Sequence, residues 1–360
     1  MIGKFIPSLG APGIVHLFWW LAIAWLLVTA ISILALRRLR GIARRRLALA
    51  NGALVAWSLL TLFMLLEGGF YLLVDTTDGR MGLLLSRRWF ERRVVLNELG
   101  VRGDPLPPAT RAPGEIRILA VGDSIAFGQG IADHRRRWPE LLEARLRAKG
   151  VDARVVNVSW MGWTTAEEHA SIVKVAAMGV PFDQVVLGYC LNDIAAPVPP
   201  ELARQIGEWS KPPRWLAPLV GNSLFLDWLR HRLVASRDPA AGKEAALLAA
   251  AFGDPVTRRR HFGELEALVA WCRENGKGLT VATFPYIPTD WGAYTLGGMH
   301  DELDAFWRAQ GVRHVDLLEE YRRNPPASLI VGSLDAHPGP RGHEIAARML
   351  DAALPPMPGR

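Results

Sequence analysis

The feature that most limits what this chain can fold into is residues 14–36, IVHLFWWLAIAWLLVTAISILAL, which carry no charge over 23 positions. As a helix such a run matches the ~30 Å hydrocarbon layer and satisfies its own backbone hydrogen bonds, so a membrane span is expected. A second apolar run, 47–74, is interrupted by Asn51 and Glu67 but is still long enough to cross. RRLRGIARRR lies between the two, with six arginines in ten residues. The positive-inside rule puts so short a basic loop in the cytoplasm. Residues 1–74 are therefore expected to form a two-helix transmembrane hairpin. The chain would be a multi-pass protein of the inner (cytoplasmic) membrane, with everything after the hairpin on the periplasmic or extracellular side. Five arginines between Arg80 and Arg93 reduce that charge asymmetry. A signal peptide is the competing reading of the first run, but the run is too long and its positive charge follows it rather than precedes it. Glu67 is expected to snorkel to the outer headgroups.

Residues 1–74 hold seven basic side chains and one acid, so they carry most of the formal +7 of the whole chain. The remainder is almost neutral, and this removes the electrostatic case for nucleic acid as a partner. Cys190 and Cys272 are too few for a disulfide framework or a clustered zinc site. They read as two buried thiols, with a disulfide between them the alternative that an oxidising compartment would permit. No metal or cofactor is expected.

Residues 75–103 read as a stem, and DPLPPATRAPG (104–114) as a Pro-rich linker. The folded domain, 115–360, alternates short apolar runs with amphipathic stretches. IRILAVGDS (116–124), ARVVNVS (153–159), QVVLGYCLND (184–193), GLTVATFP (278–285) and VRHVDLL (312–318) read as strands, and WPELLEARLRAKG (138–150) as a helix. Near-continuous apolar strands separated by helices predict an α/β, flavodoxin-like three-layer fold with a five-stranded parallel sheet. Residues 194–255 exceed any ordinary crossover and form an insertion. Its segment 222–236, with Phe225, Trp228, Leu229 and Leu233 on one face, is expected to pack on the domain; a lid dipping into the membrane surface is the alternative. HRRRWP (134–139) reads as a solvated helix start, with contact to an anionic substrate near the cleft the alternative, and Arg258 to Arg260 as a solvated helical face.

In an open parallel sheet, ligands bind beyond the carboxyl ends of the strands, so the polar residues there are the candidate site. The first strand runs into GDSIAFGQG with Ser124, the second into SWMGWTT with Gly162, and the third into Asn192-Asp193. SLDAHPGPRGHEIAARML supplies Asp335 and His337 before the last helix, where His343 is expected to be structural. A serine hydroxyl needs a base within hydrogen-bond reach, that base needs an orienting group, and a developing oxyanion needs fixed donors.

This order of GDS, glycine turn, N-D and D-x-H-P resembles the SGNH/GDSL hydrolases over residues 97 to about 352, and NELGVRG (97–103) is similar to an element ahead of the GDS block in membrane-linked bacterial members. The resemblance implies Ser124 as nucleophile, His337 as base and Asp335 as its acid. It also implies an oxyanion hole made from the Ser124 and Gly162 N–H groups and the Asn192 amide. Many members have D-x-x-H where this chain has D-x-H, and a Ser124–His337 dyad is the alternative if Asp335 points away. All these groups lie at or after Ser124, so residues 96–360 are expected to hold the complete site. The activity implied is hydrolysis of O-acetyl or other acyl esters on a cell-envelope glycan or glycolipid. The alternatives are O-acetyl transfer fed by an acyl-donor membrane protein, a lipid-acyl esterase, and a non-catalytic membrane-tethered glycan-binding module. The implied partners are the acylated glycan, glycolipid or lipid substrate and the lipid bilayer.

Overall fold

The computed structural model describes residues 12–38, 43–77, 83–194, 212–235, 244–333 and 335–355. Part of the arginine loop, Arg80 and the insertion residues 195–211 and 236–243 lie outside them. In chain order the main helices are α1 (Pro12–Arg38), α2 (Ala43–Leu73), α3 (Leu84–Arg93), α4 (Ser124–Phe127), α5 (Trp138–Ala148), α6 (Thr165–Ala177), α7 (Leu224–Ala235), α8 (Glu244–Gly253), α9 (Pro255–Glu274), α10 (Gly297–Ala309) and α11 (Pro340–Ala353), with short helical turns at Ala217–Val220, Leu318–Arg322 and Pro326–Leu329. The strands are β1 (Ile116–Gly122), β2 (Ala153–Ser159), β3 (Gln184–Cys190), β4 (Gly278–Phe284), β5 (Arg313–Asp316), β6 (Ile330–Gly332) and β7 (Asp335–Pro338). Contacts divide the chain into two units. One comprises Met1–Asp75, Met81–Arg88 and Arg204–Asp238; the other comprises Thr76–Arg80, Trp89–Ala203 and Pro239–Arg360.

In the first unit α1 and α2 run antiparallel, with Trp25 Nε1 donating to Thr61 Oγ1 at 3.0 Å and the Trp25 and Trp57 rings 5.7 Å apart. Among the described residues, one helix is long and apolar enough to cross a membrane, Leu47–Leu73, with mean hydropathy 1.9; Trp20–Ala35 is a shorter apolar helix. Two findings differ from the sequence reading. Glu67 is buried, and its carboxylate accepts from Ser223 Oγ at 2.6 Å, Leu224 N at 2.8 Å and Phe225 N at 3.1 Å. It thus caps the start of α7, where free N–H groups and the helix dipole favour an anion, instead of reaching outward. Correspondingly, α7 packs on α2, with Phe225 against Phe63 and Phe70 and Trp228 against Phe70. Leu233, expected on the packed face, is exposed. Asp227 of α7 accepts from Leu84 N at 2.8 Å and caps α3 in the same way.

The second unit is built on a sheet of order β2-β1-β3-β4-β5, parallel throughout. This is the doubly wound order expected from the sequence. Successive strand residues point to opposite faces, and both faces are apolar. Leu119, Val121, Leu187 and Val281 pack with residues of α6, α9 and α10 such as Ile172, Leu268 and Trp307. Ile118, Ala120, Val186 and Ala282 pack with residues of α5 and α11 such as Leu142 and Ile345. Each large side chain buried this way contributes roughly 1.5–3 kcal/mol. Cys190 and Cys272 are buried and unbonded, so the disulfide alternative falls.

The stem belongs to this core more closely than its composition suggests. Asn97 Oδ1 accepts from Leu99 N at 3.0 Å and turns the chain, and Arg102 then enters buried. Its guanidinium donates to the carbonyls of Phe127, Gly128, Ile131 and Arg93. Burial, then the neighbouring Arg137, pushes its pKa down to about 9. Arg137, expected to be solvated, is fully buried; it donates to the Phe127 and Arg102 carbonyls and pairs with Glu140. Two guanidiniums therefore clamp the carbonyl end of α4, where positive charge complements the helix dipole.

Candidate active site

The position of Ser124 follows from the tight approach of β1 and α4. A Cβ on Gly122 would lie 2.8 Å from Ala126 Cβ and 2.9 Å from the Gly188 carbonyl, so only glycine permits the turn. Asp123 caps α4, accepting from Ile125 N at 2.8 Å, and Gly128 (φ +70°) ends the helix in the left-handed region. Ser124 is thereby the first residue of a short helix at the carboxyl end of a central strand.

His337 and Asp335 sit on β7, which pairs antiparallel with β6. This hairpin accounts for the D-x-H spacing, because residues two apart on a strand share a face. Asp335 Oδ1 lies 2.6 Å from His337 Nδ1 and also accepts from His337 N at 2.9 Å. His337 Nε2 lies 2.9 Å from Ser124 Oγ. With Nδ1–H donated to the carboxylate, Nε2 keeps the lone pair a base requires. Asp335 Oδ2 accepts from the Thr77 hydroxyl.

The charge states follow from these contacts. Burial alone would raise the Asp335 pKa, but His337 and Thr77 outweigh it and hold the carboxyl below its ordinary value. Burial alone would lower that of His337; the Asp335 hydrogen bond and charge, with help from Asp123, raise it above the ordinary histidine value.

Asn192 comes from the turn Leu191–Ile194 after β3, which is held by Asp193 Oδ2 accepting from Cys190 N at 2.7 Å. Its Nδ2 donates to Asp123 Oδ2 at 3.2 Å, leaving a second N–H for a ligand. Asp123 Oδ2 is also 3.2 Å from Ser124 Oγ. Ser124, Asn192, Asp335 and His337 line one pocket of about 290 Å³ with Asp123, Ile125, Cys190, Pro285, Tyr286, Ile287, Ala336 and Pro338. Gly162 lies in the exposed turn after β2 at φ +76° and is not part of that lining. A larger cavity of about 620 Å³, between the linker and α5, contains none of these groups. Among the described residues no group of three or more His, Cys, Asp or Glu could hold a metal ion.

Sequence reasoning missed three kinds of participant. Asp123 was read only as part of the GDS turn, yet it contacts both Ser124 and Asn192; burial raises its pKa against the pull of its donors. Glu168 and Asp193 are buried carboxyls pushed well up, Glu168 by burial and then by Asp123, Asp193 by burial and then by Glu168 and Asp123. The N-D pair points to Asp193, whereas no motif in the sequence marks Glu168. Thr77 gave no signal, and it lies ahead of the segment expected to hold the complete site. His343 is structural as expected: buried, accepting from Trp138 N at 3.1 Å, its pKa pushed down to about 3 by burial and the nearby arginines.

A model of the GDSL-like lipase/acylhydrolase family matches residues 120–345. Among solved structures the chain is similar to TesA, with a TM-score of 0.41 and 20% identity, covering 67% of this chain and 99% of that one. It is similar to a catalytic mutant of Axe2, an acetylxylan esterase from Geobacillus stearothermophilus, with a TM-score of 0.40 and 18% identity over 66% of this chain and 93% of that one. It is also similar to a member of the lipolytic protein G-D-S-L family from Veillonella parvula, with a TM-score of 0.39 and 14% identity over 65% and 95%. No curated protein matches the chain. With the family model spanning well over half of the 360 residues, the chain belongs to the GDSL-like lipase/acylhydrolase family and is a serine hydrolase of the GDSL/SGNH type.

Proposed function

We propose that this protein is a membrane-anchored esterase, acting outside the cytoplasm on O-acetyl or other short acyl esters of a cell-envelope glycan or glycolipid. The observation that carries the reading is the unbroken chain Asp335–His337–Ser124, with steps of 2.6 and 2.9 Å, opening into a pocket beside Asn192. In acylation, His337 Nε2 takes the Ser124 proton as Oγ attacks the ester carbonyl. The Asn192 amide, with the Ser124 N–H group, receives the oxyanion. Collapse expels the alcohol, which takes the proton back from His337. Water, deprotonated by the same nitrogen, then releases the carboxylic acid and regenerates Ser124.

Anchoring is supported by Leu47–Leu73, whose apolar window is wholly unburied, and the outward orientation by the arginines between the two apolar runs. A fluorophosphonate probe should label the wild-type protein and fail to label Ser124→Ala. Ser124→Ala and His337→Ala should each nearly abolish turnover of a small ester, and the double variant should be little worse than either, because residues that act as a unit are not additive. Labelling that survives in Ser124→Ala would overturn the assignment.

A further inference from the structure

We infer that Thr77, four residues beyond the end of α2, is a positioning residue for the reaction, holding the Asp335 carboxylate in the rotation that orients His337. The inference rests on the Ser124–His337–Asp335 reading above. An aspartate carboxylate turns easily about its last torsion, and the D-x-H spacing ties Asp335 to His337 through one short strand only. Oδ1 is occupied twice by His337, through the ring nitrogen at 2.6 Å and the backbone N at 2.9 Å. Both of those donors belong to the residue being oriented, so neither supplies an independent reference point. Oδ2 needs a partner from elsewhere, in a spot closed to bulk solvent: Asp335 is 1% exposed and Thr77 is fully buried. The Thr77 hydroxyl is that partner, reaching across 258 positions of sequence.

Two further facts set Thr77 apart from ordinary packing. A threonine hydroxyl brings no charge, so it stabilises the anionic carboxylate without competing with the imidazolium that forms during catalysis. It also lies outside the segment matched by the family model, 120–345, and ahead of the Pro-rich linker, in the stretch of chain that directly follows the long apolar helix. The catalytic constellation of this chain is therefore closed by a residue of its stem. The segment 96–360, self-sufficient on sequence grounds, lacks one of its hydrogen bonds.

The test uses the full chain in detergent with a small chromogenic ester. Thr77→Val keeps the shape and removes the donor, so kcat should fall about 10-fold or more while KM stays put. Thr77→Ser restores a hydroxyl with less packing and should recover most of the lost turnover. A valine variant as fast as wild type would overturn the inference, and so would a serine variant as slow as the valine one, which would reduce Thr77 to packing. Should the valine variant unfold, the serine variant is compared with Thr77→Ala, and the same recovery is required. Probe labelling of Ser124 run on every variant separates the two readings. If labelling does not depend on Ser124, the site assignment fails; if it does and the Thr77 series is flat, only the role of Thr77 fails.

Discussion

In the unit of α1, α2 and α7, Leu54, Leu65 and Leu73 face outward at 61%, 68% and 84% exposure, while Glu67 is 2% exposed. In the sheet unit Leu119, Val186 and Val281 are wholly buried, and the same degree of burial falls on Asp335. Apolar residues face opposite ways in the two units, yet each encloses a carboxylate and gives it three donors. What separates the two acids is the identity of the donors. Those of Glu67 are the hydroxyl of Ser223 and the backbone N–H groups of Leu224 and Phe225, none of which titrates near neutrality. Two of the donors of Asp335 belong to a histidine. Held by partners that are fixed in charge, Glu67 holds structure. A buried acid whose partner exchanges a proton can take part in a reaction.

The largest effect that would break this comparison is loss of the reactive carboxylate. Asp335→Asn keeps the volume but offers an NH₂ or a neutral oxygen to His337 Nδ1, which disturbs the tautomer that frees Nε2. Turnover of a small ester should fall about 10³- to 10⁴-fold while the protein stays folded. A loss of only a few-fold would show that Ser124 and His337 operate as a dyad, and the contrast with Glu67 would collapse.

A smaller and purely structural effect is expected in the other unit. Glu67→Leu removes the cap of α7 and leaves the Leu224 and Phe225 N–H groups without their acceptor. Their amide hydrogen exchange should accelerate by about 10- to 100-fold, as expected when a buried cap acceptor is lost. Turnover of a small soluble ester should remain within about twofold of wild type, since Glu67 and its partners Ser223, Leu224 and Phe225 share no hydrogen bond with the groups that line the pocket. Unchanged protection at Leu224 and Phe225 would remove Glu67 from the docking of α7.

These expectations also mark how far the sequence was readable. The 153–159 strand ends where the residues said it would, and the other four differ by one to three residues at their ends, because long apolar β-branched runs leave few options. The β6–β7 hairpin was missed: three- and four-residue strands carry too little pattern, and SLDAHPG has the composition of a loop. Ser124, Asn192, Asp335 and His337 were singled out because GDS, N-D and D-x-H-P follow one another in the order of the SGNH/GDSL pattern, with Ser124 and Asn192 just beyond expected strands. Thr77 and the burial of Arg137 were not, because a remote carboxylate and backbone carbonyls leave no trace in spacing. The docking of α7 was misread for a related reason. An amphipathic stripe announces that it will be covered but does not name the cover, and here the cover is α2 with a carboxylate in its last turns.

The smallest expected effect is a displacement of the pH profile, and it sharpens the comparison most directly. Activity requires His337 neutral in the free enzyme, so kcat/KM should rise with pH as the imidazolium loses its proton and then level off. Burial disfavours the imidazolium, but the hydrogen bond and charge of Asp335, aided by Asp123, favour it more, and the balance lies above the ordinary histidine value. The midpoint should therefore fall above ~6.5 in the wild-type protein, provided acylation is the slow step. In Asp335→Asn the favourable contributions shrink to that of Asp123 while burial remains. The residual activity should then titrate at a lower pH than wild type, so the two profiles converge toward acid and diverge toward neutrality. The Glu67→Leu profile should overlay that of wild type, since no titrating partner faces that acid among its three donors. A midpoint that does not move when Asp335 loses its charge would mean that the carboxylate at 2.6 Å does not set the basicity of His337.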